Sequence, residues 1–153
     1  GTLFCSPRPS RKILEDFYMN SNSAKFWFET FLPKIEGSRR DRIFKKKAVQ
    51  LFNLIDEKGI GVNSLCDVGA GSGIFLEELK KIRKDIDYYA IEPGKVSSKI
   101  LNEKEFTVLQ ESAETSSKWN NKFDFVVSYR HIMWLPVSDL FFKKNRNLKK
   151  LLH

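Results

Sequence analysis

The residues best placed to do chemistry form one short run, Asp67-Val68-Gly69-Ala70-Gly71-Ser72-Gly73. Glycines at alternate positions accept positive φ angles and carry no Cβ, so a ligand can approach the backbone closely. The spacing is not that of a dinucleotide fingerprint, which would need glycine where Ile74 stands, or glycine or alanine where Leu76 stands. It is not a phosphate-binding P-loop either, because no Gly-Lys-Ser/Thr follows. Asp67 puts a carboxylate just ahead of the first glycine. An anion there suits a ligand carrying an amino or sulfonium cation better than one carrying a pyrophosphate. A second carboxylate, Glu92 in Ile91-Glu92-Pro93-Gly94, lies nineteen residues after Gly73. That is close to the roughly 20 residues at which an acidic side chain grips a ribose, and two carboxylate oxygens can accept from both ribose hydroxyls. The plainer alternatives are a turn that serves only the chain's own packing and an exposed Glu before a Pro-Gly turn.

Both carboxylates need a scaffold that brings them to one place. Short apolar runs at Ser64–Val68, Tyr88–Ile91, Phe106–Leu109 and Phe123–Val127 alternate with helical stretches at Ile74–Ile82 and around Val96–Leu101. Continuous apolar strands separated by crossover helices imply an α/β fold, a doubly wound, Rossmann-like parallel sheet of about four strands. Ahead of it the sequence predicts a helical segment. Ser10 caps a helix to about Tyr18, and a second runs from Ala24 to Phe31 on Phe26, Trp27 and Phe31 until Pro33 closes it. Ser38-Arg39-Arg40-Asp41 resembles a capping box. The helix after it carries Phe44, Ala48, Leu51, Phe52 and Ile55 on one stripe and ends at Gly59 and Gly61. The chain thus divides into an N-terminal helical segment, 1–60, and a ligand-binding domain, 61–153.

Once these motifs are set side by side, the sequence resembles the class I S-adenosylmethionine-dependent methyltransferases. Leu65–Gly73 is similar to their glycine-rich first motif and Ile91-Glu92-Pro93 to their acidic second motif. Gln110-Glu111-Ser112-Ala113-Glu114 resembles the segment bordering the adenine, with Ser112 where Asp is common, and Phe123–Ser128 resembles the fourth-strand motif. The resemblance implies S-adenosylmethionine as cofactor, held by Asp67, Gly69, Ala70, Gly71, Gly73, Glu92, Ser112 and Ala113. Asp67 and the backbone of Gly69 and Gly71 would take the methionine portion, Glu92 the ribose, and Ser112–Ala113 the adenine edge. The reaction would be in-line displacement of the sulfonium methyl by an O, N or C atom of a small-molecule or saccharide acceptor, governed by positioning. No catalytic residue is assigned, although His131, just past the fourth strand, could serve as a base. Pro7 through Phe44 is similar to a subgroup that often carries a zinc ribbon upstream. The ribbon's ligands are not in this chain, so no zinc is expected.

The resemblance stops after Ser128. Met133-Trp134 stand where many relatives have a Glu-His pair, and Asp139–Leu152 reads as a lysine-rich helix. Relatives continue through three further strands, so the chain is expected to be a fragment truncated at both ends. Two cysteines, Cys5 and Cys66, cannot build a disulfide framework. With no membrane span and no signal-peptide core, a cytoplasmic setting is expected. The 27 basic and 19 acidic residues give a net charge of +8. Twelve of those cations fall in residues 1–60 and seven in 121–153. The competing readings are therefore a nicotinamide-dependent oxidoreductase, against which the glycine spacing argues, and a non-catalytic nucleic-acid-binding protein using the basic helices 39–47 and 143–150.

Overall fold

The computed structural model describes Pro7, residues 9–113 and residues 122–129. Four strands, β1 (Ser64–Val68), β2 (Asp87–Ile91), β3 (Thr107–Leu109) and β4 (Phe125–Val127), form one sheet in the order β3-β2-β1-β4. All three pairings are parallel, with Asp67 opposite Ala90 on β2 and Val127 on β4. This is the expected α/β, Rossmann-like parallel sheet. The chain steps outward from β1 to β3 and then returns to the other side of β1. That reversal makes a topological switch point at the carboxyl end of β1.

The helices are α1 (Arg11–Asn20), α2 (Asn22–Phe26), α3 (Leu32–Arg39), α4 (Lys45–Glu57), α5 (Ile74–Ile82) and α6 (Lys95–Glu103). Ser10 caps α1 as expected, accepting from the Ile13 amide at 3.4 Å. The predicted breaks at Pro33 and Ser38 do not occur. Two π-turns, Trp27–Phe31 and Arg40–Phe44, join α2, α3 and α4 into one helical path. Pro33 has no amide to donate, and it sits just where the path resumes after the first π-turn, with the Leu32 amide bonded five residues back to Trp27. The lost bond is thereby absorbed instead of ending the helix. The extra residue in that turn also rotates the apolar face. Leu32 is buried, whereas the expected anchors Phe26 and Phe31 are 59% and 40% exposed.

The core lies on one face of the sheet. Ala48, Phe52 and Ile55 of α4 pack with Leu65, Phe75, Leu76, Leu79, Tyr88, Ala90, Leu101 and Phe125. Right-handed crossovers taken twice in the same direction put α5 and α6 on the same side. The opposite face carries Cys66, Val68, Ile91, Leu109 and Ala113. The Tyr88 hydroxyl lies 3.1 Å from the Leu79 carbonyl and 2.7 Å from that of Arg83, closing the end of α5.

β4 begins at Phe125 and not Phe123, because Asp124 is used to fasten it. The Asp124 carboxylate accepts from the amides of Asn63 (2.9 Å) and Ser64 (3.0 Å), which hold its pKa below the usual carboxylate range. Asp124→Ala should cost about 1–2 kcal/mol, read as a lower urea midpoint with an unchanged m-value. The parent's advantage should fade as the pH drops through that depressed value, since protonation removes the same acceptor.

Of the cations at 39–47, Arg42, Lys45 and Lys46 are exposed, whereas Arg39, Arg40 and Lys47 are half-buried. Arg40 binds three carboxylates, Arg39 lies 5.6 Å from the Phe44 ring, Lys45 pairs with Asp41, and Lys47 sits 3.4 Å from the Tyr129 ring. No described helix is long and apolar enough to cross a membrane.

Candidate functional site

A buried strand that must turn at once into a buried helix leaves little room for side chains at the corner. Gly69 continues the ladder one step past β1, its amide donating to the Ile91 carbonyl at 2.7 Å. Gly69, Gly71 and Gly73 then take φ values of 77°, 57° and 78°, in the left-handed region. The turn closes through the Gly73 amide on the Ala70 carbonyl at 3.0 Å, and α5 follows from Gly73 as its N-cap. Two of the glycines are needed for different reasons. A Cβ on Gly73 would fall 2.6 Å from Leu101 Cδ2, so α6 packs against this point. A Cβ on Gly71 would instead touch the edge of the half-buried Phe28 ring, 3.9 Å away.

Glu92 follows the last residue of β2 and reaches across to the turn. Its Oε2 accepts from the Gly71 amide at 2.8 Å. Oε1 accepts from the Gly94 amide and the Ser97 hydroxyl, each at 3.0 Å. The Ser98 hydroxyl binds the Glu92 carbonyl at 2.8 Å, so both ends of the residue are fixed by the first turn of α6. Asp67 is also buried, and its Oδ1 has no hydrogen-bond partner among the described residues. Burial first, and the Glu92 charge second, push its pKa up to about 7. A buried carboxylate oxygen left without a partner is costly unless something supplies a cation or a donor.

The predicted residues therefore gather at one end of the sheet, since parallel strands all finish there. The turn 69–73 and Glu92 are linked directly through the Gly71–Glu92 bond, and the Glu92 charge acts on Asp67 beside them. Ser112 and Ala113 lie just past β3 at the same end, with Ala113 packed against Cys66, Val68, Ile91 and Leu109. His131, Met133, Trp134 and the stretch 139–152 lie outside the described residues. Phe28, Ser97 and Ser98 were not legible as site residues. Ser97 and Ser98 carried a weak signal, small hydroxyl residues in the first turn of a helix that starts at Gly94. Phe28 carried none, because the π-turn sets its direction. Phe28 also lines a cavity of about 190 Å³ with Met19, Lys25, Gly94, Val96 and Ser97, beside the anchored carboxylate. Among the described residues no group of three or more His, Cys, Asp or Glu side chains is placed to hold a metal.

Residues 30–148 match a family model described as a methyltransferase domain. Compared by sequence with curated proteins, the chain has no match. The fold is shared by many solved structures, three of which follow. Streptomyces venezuelae DesVI superposes with a TM-score of 0.61 at 17% identity, over 79% of this chain and 53% of its own. An S-adenosylmethionine-dependent methyltransferase from Clostridium acetobutylicum gives 0.60 at 13% identity, over 80% and 54%. The sugar N-methyltransferase KedS8 from a Streptoalloteichus species gives 0.58 at 19% identity, over 76% and 49%. The chain thus spans about half the length of these structures.

Proposed function

The chain belongs to the methyltransferase domain family, and we propose that it is the S-adenosylmethionine-binding part of a methyltransferase acting on a small-molecule or saccharide acceptor. The observation that carries this reading is Asp67 Oδ1, a buried carboxylate oxygen with no partner, beside a turn of three left-handed glycines and a second carboxylate. A cationic ligand supplies what that oxygen lacks, and the notch at Gly71, where a side chain would intrude, admits it at the backbone.

Asp67 and the backbone at Gly69, Ala70 and Gly71 would hold the methionine portion, Glu92 the ribose, and Ser112 with Ala113 the adenine edge. Gly73 contributes by letting α5 start next to α6. When bound, the cofactor supplies an electrophilic methyl group on a positive sulfur. The chain's own residues bind and orient: Asp67 offers negative charge in a dry environment, and Glu92 is held rigid by α6. Phe28 walls the site from the N-terminal side. The likeness to a sugar N-methyltransferase favours a saccharide among small acceptors.

Isothermal titration with S-adenosylmethionine and with its demethylated product should give dissociation constants in the roughly micromolar range, about −8 kcal/mol. Absence of heat with both, on folded protein, would refute the assignment. Gly71→Val forces a β-branched residue into φ 57° and fills the notch. It should abolish both titrations while the far-ultraviolet circular dichroism stays that of the parent.

A further inference from the structure

Glu92 has less free capacity than its assigned task needs. An ionised carboxylate offers about four acceptor positions. Three are already filled, by the Gly71 amide on Oε2 and by the Gly94 amide and Ser97 hydroxyl on Oε1. Ser97 also lies 3.1 Å from the Gly94 carbonyl, but its single proton favours the charged oxygen. A vicinal diol brings two donors, and one position is open. One existing bond must therefore yield when a ribose binds.

The three bonds are not equally free to do so. Gly94 and Ser97 are two and five residues from Glu92, and Ser97 is fully buried at the start of α6. Their hold on Oε1 is part of the local fold. The Gly71 bond instead spans two separate strands and ends on a turn whose glycines have left-handed backbone. On that turn a Cβ at Gly71 would meet only the Phe28 ring, at 3.9 Å.

We propose that Ser97 is a positioning residue that saturates Oε1, and that the Gly71–Glu92 bond is a latch which a ribose must displace from Oε2. Release turns the Gly71 amide from an internal donor into one free for the ligand. Occupation of the ribose subsite then prepares the turn for the rest of the molecule. This rests on the proposed cofactor reading and adds a coupling between its two halves.

The test uses the ¹⁵N-labelled full chain, following the Gly71 amide resonance. The probes are adenosine and 2′,3′-dideoxyadenosine, which lacks the diol. Adenosine should move Gly71 upfield and speed its hydrogen exchange, in the direction that Glu92→Gln produces without ligand; dideoxyadenosine should leave it in place. Ser97→Ala vacates one position on Oε1, so adenosine should still bind but no longer move Gly71. A purely structural serine would not change that response. Adenosine binding in the parent with Gly71 unmoved, dideoxyadenosine moving it equally, or Ser97→Ala responding as the parent does, would each overturn the latch. If adenosine perturbs no resonance at all, the ribose assignment itself fails, and the latch with it.

Discussion

At pH 8, Asp67→Asn is expected to unfold at a higher urea concentration than the parent, and to bind S-adenosylmethionine at least about tenfold more weakly, a loss of 1.4 kcal/mol or more. Both effects come from the same buried oxygen. In the folded chain burial raises the Asp67 pKa to about 7, whereas an unfolded aspartate titrates near 3.8. Between these values the folded state holds a proton that the unfolded state has lost. Stability from this group is thus complete below the unfolded pKa and declines as the pH rises through the folded one. Above it, the native protein carries a desolvated charge that asparagine removes, a gain on the order of 2 kcal/mol. The advantage should shrink as the pH is lowered toward 4, where both side chains are neutral. Binding should run the opposite way, with the parent's affinity for the cationic cofactor rising from pH 6 to pH 8 and the variant's staying flat. A variant no more stable than the parent at pH 8, or an affinity that ignores pH in both, would show that Asp67 is not held as a strained ligand group.

The largest structural loss is expected at Arg40. Its guanidinium binds Glu36 and Glu78 at 2.6 Å and Glu77 at 2.7 Å, tying the second π-turn to α5, the helix that the glycine turn launches. The Glu78 side chain is only 5% exposed. Arg40→Met leaves it with Lys81 alone, and Glu77 with Lys104. Removing one member of a largely buried ion network costs about 3–5 kcal/mol, because the remaining charges stay desolvated. Equilibrium urea unfolding measures this directly. Arg40→Lys should recover only a minor part, since an ammonium cannot reach three carboxylates with a planar fork. A loss below 1 kcal/mol for Arg40→Met would mean that the N-terminal helices are held by apolar packing alone.

This network explains why the N-terminal segment was the part least legible from sequence. Read locally, Pro33 ends a helix and Ser38 begins one. Neither rule allows for a π-turn, which absorbs the missing amide and rotates the following face by one residue. The cations at 39–47 read locally as a phosphate-facing surface, but the folded path divides them, leaving Arg42, Lys45 and Lys46 exposed and giving Arg40 and Lys47 partners within the chain. Glu77 and Glu78 of α5, which bind Arg40, and the Tyr129 ring, which faces Lys47, are partners that no local pattern points to.

The sequence by itself determined the sheet and pointed to the place of the candidate site. Ser64–Val68 and Ile74–Ile82 form with the expected bounds, since a strand buried from Leu65 to Val68 and a strongly amphipathic helix each have a definite face to bury. The glycines marked the corner because no other residue takes those φ angles cheaply. Only the tertiary structure decided how the site is wired. It left Asp67 without a partner, gave Glu92 to Gly71, Gly94 and Ser97, and turned Phe28 toward the notch. A hydrogen bond between residues twenty-one positions apart depends on strand order and register, and those follow from the packing of the whole chain.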